Sequence, residues 1–88
     1  MKSRIEKAAK RELRSIPSNW QKAIIEAILD LEDDPTPSGS LELTGYPNYY
    51  RIKVGYYRVV YRLGHNALVV RRIRKRSDET YRGLNPQD

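Results

Sequence analysis

Lys53, Arg58 and Arg51 are placed by their spacing as fixed positive charges on one side of a hairpin. They sit in residues 49–76, YYRIKVGYYRVVYRLGHNALVVRRIRKR, which hold nine Lys or Arg and no Asp or Glu. Apolar and polar residues alternate there, the period-two mark of half-buried strands. Tyr50, Ile52 and Val54 share one face, and Tyr49, Arg51 and Lys53 share the other. Gly55-Tyr56 suits a two-residue turn, because glycine accepts positive φ. Tyr57, Val59, Tyr61 and Leu63 then point one way and Arg58, Val60 and Arg62 the other. This turn predicts the pairs Val54–Tyr57, Lys53–Arg58, Ile52–Val59 and Tyr49–Arg62. Like charges directly opposite each other cost roughly 0.2–1 kcal/mol per pair. A face that accepts Lys53 beside Arg58 fits an anion-holding surface for a polyanion. The plain alternative is a solvated basic face.

The rest of the chain must supply something apolar for the other face. Residues 6–16 read as a helix with Ile5, Ala9, Leu13 and Ile16 on one stripe, ended by Pro17. Ser18 starts a second helix, to about residue 33, with Gln21 in a capping-box position. Its apolar stripe is Trp20, Ile24, Ala27, Ile28 and Leu31. The two helices form an αα-hairpin. Residues 35–40 are a turn-rich loop, with Leu41 and Leu43 expected to pin it to the core. A third strand of the basic block runs from Ala67 to Lys75, and its Arg71-Arg72 pair leaves one facing open. Residues 1–5 allow a stub of edge strand, and residues 77–84 a loop or one helical turn. Tyr56, Tyr57 and Tyr61 are expected to be packing residues. The predicted class is α+β: an N-terminal αα-hairpin packed on one face of an antiparallel sheet, with residues 1–88 as a single domain.

Composition narrows the chemistry. The net charge is +6, and the acids Glu26, Asp30, Glu32, Asp33 and Asp34 cluster ahead of the basic block. The chain has no cysteine and one histidine, His65, which falls in a turn. Disulfides, thiolate chemistry and cysteine-type zinc sites are therefore excluded, and no metal or cofactor is expected. Mean hydropathy is −0.78. No apolar run approaches the ~20 residues of a membrane span, and no signal peptide is evident, so a cytoplasmic protein without a membrane partner is expected.

Leu-Thr-Gly at 43–45, the segment at 49–63 and RRIRKRSDETYRG at 71–83 resemble the RelE/ParE toxin superfamily. The likeness covers about residues 5–84, and its most specific part is 50–61. RelE-like members cleave mRNA on the translating ribosome, ParE-like members inhibit DNA gyrase, and both are silenced by an antitoxin. The resemblance implies a RelE-like toxin domain. Its partners would be a RelB-like cognate antitoxin, the ribosome with mRNA in its decoding site, and operator DNA only through the antitoxin complex.

By motif position the resemblance implies a catalytic set of Lys53, Arg51, Arg58, Arg76 and Tyr81. Tyr49, Arg62, Arg74 and Lys75 would contact RNA. Relatives often end the last strand Arg-Ile-Gly-His-Arg, whereas this chain has Arg72-Ile73-Arg74-Lys75-Arg76. Lys75 thus stands in a histidine position, and the last-strand role falls to Arg76 or, second, to Lys75. Attack by the RNA's own 2′-OH needs a base, stabilisation of a phosphorane and protonation of the leaving 5′-oxygen. Lys53 is the candidate base, because lysine can release a proton and arginine cannot. The arginines would clamp the phosphate, and Tyr81 would stack on a base or orient the hydroxyl.

Overall fold

The computed structural model describes residues 1–76. The elements are β1 (Lys2–Ile5), α1 (Lys7–Arg14), α2 (Ser18–Asp33), β2 (Leu41–Glu42), β3 (Tyr49–Val54), β4 (Tyr57–Gly64) and β5 (Ala67–Lys75). They build an α+β fold whose one sheet has the order β1-β5-β4-β3-β2. The strands from β2 to β5 form an antiparallel meander, as the alternation predicts. The edge stub at residues 2–5 pairs parallel with β5, from Lys2 opposite Ala67 to Ile5 opposite Val70. The sheet is therefore mixed. The helical hairpin and the meander together make the long connection between these two parallel strands.

Both helices lie on one face. Ala9, Ile16, Ile24, Ile28 and Leu31 share a core with Ile52, Tyr57, Val59, Tyr61, Leu68, Val70 and Ile73. Trp20 is half-buried against that core and packs on Tyr57 with ring centroids 5.8 Å apart. Tyr61 is fully buried, and its hydroxyl donates to the Pro35 carbonyl at 2.6 Å. Burial pushes its phenol up to about 12.

The β3–β4 register matches the expected pairs, including Lys53 with Arg58 and Tyr49 with Arg62. Gly55 carries φ +59, as the first position of a type II′ turn requires. The turn lies against Trp20, whose six-membered ring occupies the space that a side chain at Gly55 would need.

Three local expectations change. Helix α2 begins after Pro17, with no side-chain cap; Gln21 instead donates back to the Ile16 carbonyl at 2.7 Å. It thereby serves an orphan carbonyl of the preceding turn rather than closing a capping box. Leu41 is 55% exposed, because β2 is an edge strand and its residue faces water; only Leu43 packs, on a second cluster. Tyr56 is 73% exposed, since the tip of a two-residue turn projects beyond the ladder. Tyr57 and Tyr61 are buried as expected. The loop expected at 77–84, with Tyr81, lies outside the described residues.

Edge donors of the sheet are met by helix carboxylates. Glu32 on α2 accepts from the Ser3 N–H at 2.9 Å and the Ser3 hydroxyl at 2.6 Å. These bonds hold its carboxyl below the ordinary carboxylate range. A depressed folded pKa contributes stability above the unfolded value that is lost as pH falls through the folded one. Ser3→Ala is expected to raise the Glu32 pKa toward that of a free carboxylate in an NMR titration. An unchanged Glu32 titration would contradict the contact. Gly55→Ala combines positive φ with a clash on Trp20 and is expected to cost about 1–3 kcal/mol. Urea denaturation measures it, and an unshifted midpoint would remove the Trp20–turn contact from the account.

Candidate nucleic-acid interface

The face away from the helices is built from three antiparallel strands whose pairing stacks their charges in rows. Lys53 pairs with Arg58, and Arg58 pairs with Arg74. One step along, Arg51 pairs with Val60, and Val60 with Arg72. Strands are about 4.8 Å apart, so Lys53 and Arg58 sit side by side, whereas Val60 separates Arg51 from Arg72. At ~5 Å in water two unit charges repel by about 0.8 kcal/mol. That is too little to break a strand pair and enough to favour a bound anion.

The last strand stays in phase only through a bulge. Val60 pairs with Arg72 but Tyr61 pairs with Val70, so Arg71 is the extra residue. Its guanidinium lies 3.0 Å from a Glu6 carboxylate oxygen and 5.7 Å from the Tyr49 ring centroid, and it donates to the Tyr49 hydroxyl. The facing left open by Arg71-Arg72 is thereby decided. Arg72 joins the cationic face, and Arg71 serves structure at the β1–α1 junction. Sequence reasoning missed Arg72, because only the bulge fixes its phase.

Tyr49 does not stack on RNA in this fold. It is 0% exposed and shares a second small core with Val60, Leu43 and Tyr46. The chain that returns from β2 through Tyr46 covers its ring, centroid to centroid 5.9 Å. Arg62 pairs with Tyr49 on one side and Val69 on the other, and buried Val60 separates it along β4 from Arg58. Its Nε is buried without a hydrogen-bond partner among the described residues. Arg62 is thus not gathered with the open row.

Arg74 reaches around the β5 edge to Glu12 on α1, its Nε donating to one carboxylate oxygen while the Ile73 N–H donates to the other at 3.0 Å. Glu12 serves the stretch of β5 that β1 no longer covers, because the β1–β5 pairing stops at Val70. Lys75 pairs with Tyr57, on the helix-facing register, whereas Arg76 follows the strand and donates its N–H to the Tyr56 carbonyl at 3.0 Å. Arg76 therefore stays at the hairpin end of the face. Lys53 is exposed, and Arg51 and Arg58 are half-buried. Beside them a groove of about 640 Å³ runs between α2, the 35–41 loop and β3, with Asp30 and Asp34 on one wall and Arg51 and Lys53 on the other. Among the described residues no three His, Cys, Asp or Glu gather to hold a metal, and no helix is long and apolar enough to cross a membrane.

Residues 4–80 match the family described as the ParE toxin of type II toxin–antitoxin systems, parDE, so the chain belongs to that family, within the RelE/ParE/YoeB superfamily. Among solved structures, a chain of the RelBE2 toxin–antitoxin complex from Mycobacterium tuberculosis is 25% identical, with TM-score 0.75, covering 85% of this chain and 96% of its own. A chain of the archaeal RelE–RelB complex from Pyrococcus horikoshii is 26% identical at TM-score 0.74, covering 88% and 96%. A mutant of Escherichia coli RelE in the free state reaches TM-score 0.78 at 23% identity, covering 90% and 87%, a likeness of fold alone. No curated protein matches in sequence.

The Glu12 contacts yield a test. Glu12→Ala leaves the Ile73 N–H unpaired and releases Arg74 onto the basic face. Stability is expected to fall by about 1–3 kcal/mol, while elution from heparin moves to higher salt. Unchanged values for both would show that Glu12 neither caps the edge nor restrains Arg74.

Proposed function

We propose that this chain is the toxin of a type II toxin–antitoxin pair and that it cleaves mRNA on the translating ribosome by attack of the RNA's own 2′-OH. The Lys53–Arg58 pair, with Arg51 one step along β3, carries this reading. In it Lys53 takes the 2′-hydroxyl proton, since it alone among these residues can cycle between charged and neutral forms. Arg51 and Arg58 hold the phosphate as negative charge builds on the phosphorane. Arg76, in preference to Lys75, whose register turns it toward the helices, stabilises the charge that builds on the leaving 5′-oxygen, and that oxygen takes its proton from solvent water, since arginine cannot give one up. Tyr81 belongs to the same proposed set. The similar toxins of M. tuberculosis and P. horikoshii are complexed with antitoxins. By the same reading a RelB-like antitoxin holds this chain, operator DNA is reached only through that complex, and the site of action is the cytoplasm.

A second reading is favoured by the family match itself, whose description names ParE. There the chain inhibits DNA gyrase, and the basic face is a binding surface without cleavage chemistry. A non-catalytic homologue that only binds antitoxin and operator is the remaining form of that reading.

The two are separated with purified protein in a translation extract, by mapping mRNA 5′ ends, alongside a gyrase supercoiling assay. New 5′ ends within translated codons are expected. Lys53→Ala and Arg58→Ala should each reduce cleavage on the order of a hundred- to a thousand-fold, the scale of a lost transition-state contact. Their thermal melts should stay near wild type, because neither side chain fills the core. Lys53→Arg keeps the charge and loses the base, so cleavage at the wild-type rate would remove Lys53 from that role. Blocked supercoiling with uncut ribosome-bound mRNA would establish the ParE-like reading instead.

A further inference from the structure

We propose that Tyr56 is a stacking platform for an unpaired nucleobase whose adjoining phosphates lie on Arg58 and Arg76. The proposal deepens the nucleic-acid reading and rests on it for the class of ligand alone, not for the cleavage chemistry.

Tyr56 is the most exposed large apolar side chain among the described residues, at 73%. An aromatic ring left in water at a turn tip gains little for the fold. Its contact with Trp20 is edge-on, centroids 6.0 Å apart and planes at 67°, so Trp20 leaves most of the tyrosine ring open. The turn that carries the ring is nonetheless well held. Gly55 is wedged under Trp20, and the Tyr56 carbonyl accepts from the Arg76 N–H at 3.0 Å. A side chain on a fixed turn has only its own rotamers to lose when a flat ligand lands on it.

The surroundings select the ligand. A cavity of about 380 Å³ at the ring is lined by Tyr56, Lys75 and Arg76. This lies at the small end of the ~300–1,000 Å³ range of ligand pockets. Arg58 folds back against the same turn, its Nη1 donating to the Tyr57 carbonyl at 3.2 Å and the Gly55 carbonyl at 3.4 Å. One side of the ring is thus cationic, with no carboxylate among the described residues that line the cavity. An aromatic face beside arginines is the pattern that holds single-stranded nucleic acid, stacking for the base and charge for the backbone. A duplex would offer phosphates but no open base face to stack on. Tyr56 lies in the turn one residue before Tyr57, close to the Lys53–Arg58 pair, so a strand with phosphates on that pair has the ring within its reach.

The test uses the full chain without ribosomes. A fluorescently labelled short oligoadenylate and an abasic sugar–phosphate oligomer of equal length are titrated at low salt and read by anisotropy. Wild type should bind the base-containing probe about tenfold or more tightly than the abasic one. Tyr56→Ala should erase that preference and retain the weak abasic binding. Tyr56→Phe and Tyr56→Trp should keep the preference, because stacking needs the ring and not the hydroxyl. Trp20 is the only tryptophan, so quenching of its emission on binding to wild type locates the base at the turn. Equal binding of both probes by wild type, or no binding of either, overturns the proposal. So does an intact preference in Tyr56→Ala, or a Tyr56→Ala defect confined to antitoxin binding. A protein that cuts no mRNA in extract yet keeps the base-dependent step loses the cleavage reading and retains this one.

Discussion

A single extra residue in β5 decides what this sheet can be. Leu68 and Val70 face the helices, and strict alternation from them would send Arg72 and Arg74 into the same core. Burying two unpaired guanidinium groups there would cost several kcal/mol each. The bulge at Arg71 changes the phase, so Ile73 returns to the core while Arg72 and Arg74 emerge on the opposite face. The apolar core and the basic face are therefore one solution to one constraint. The bulged residue is itself employed: Arg71 joins Glu6 at the start of α1 to Tyr49 in the second cluster, tying helix, sheet and covering loop at one point.

The acids of the helical half complete this arrangement in a different way. Glu32 meets the outer edge of β1 through Ser3, and Glu12 meets the uncovered end of β5 through the Ile73 N–H. Exposed strand edges invite pairing with other chains, and a carboxylate on the edge N–H blocks that pairing at a small energetic cost. Across the β3–β4 ladder, by contrast, Lys53 stands opposite Arg58. Charge is thus neutralised around the rim of β5 and left concentrated near the hairpin tip. A polyanion is drawn to that place, and it is also where the most exposed aromatic residue stands.

Membership of the toxin family follows from the match over residues 4–80 together with the shared fold. Fold does not select among activities, since one scaffold of this kind carries different targets on the same face.

The sequence by itself determined the helical hairpin, the β3–β4 register and the cationic side of that hairpin. These follow from periods and turn chemistry that act over a few residues, such as Gly55 setting the register of everything around it. It also carried the family likeness, because residues 50–61 combine that register with an unusual charge pattern. Tertiary structure alone decided the rest. Tyr49 and Arg51 share a face by alternation, yet Tyr49 is buried because a loop from a distant part of the chain closes over it. Tyr56 is exposed because, among the described residues, the turn tip offers it only an edge contact with Trp20. Arg74 is turned aside by Glu12, sixty-two residues away in the chain. The bulge at Arg71 is set by the demand that Ile73 and Val70 both reach the same core. Alternation reports which side a residue leaves the backbone; what then covers it, pairs with it or leaves it in water depends on segments that only folding brings together.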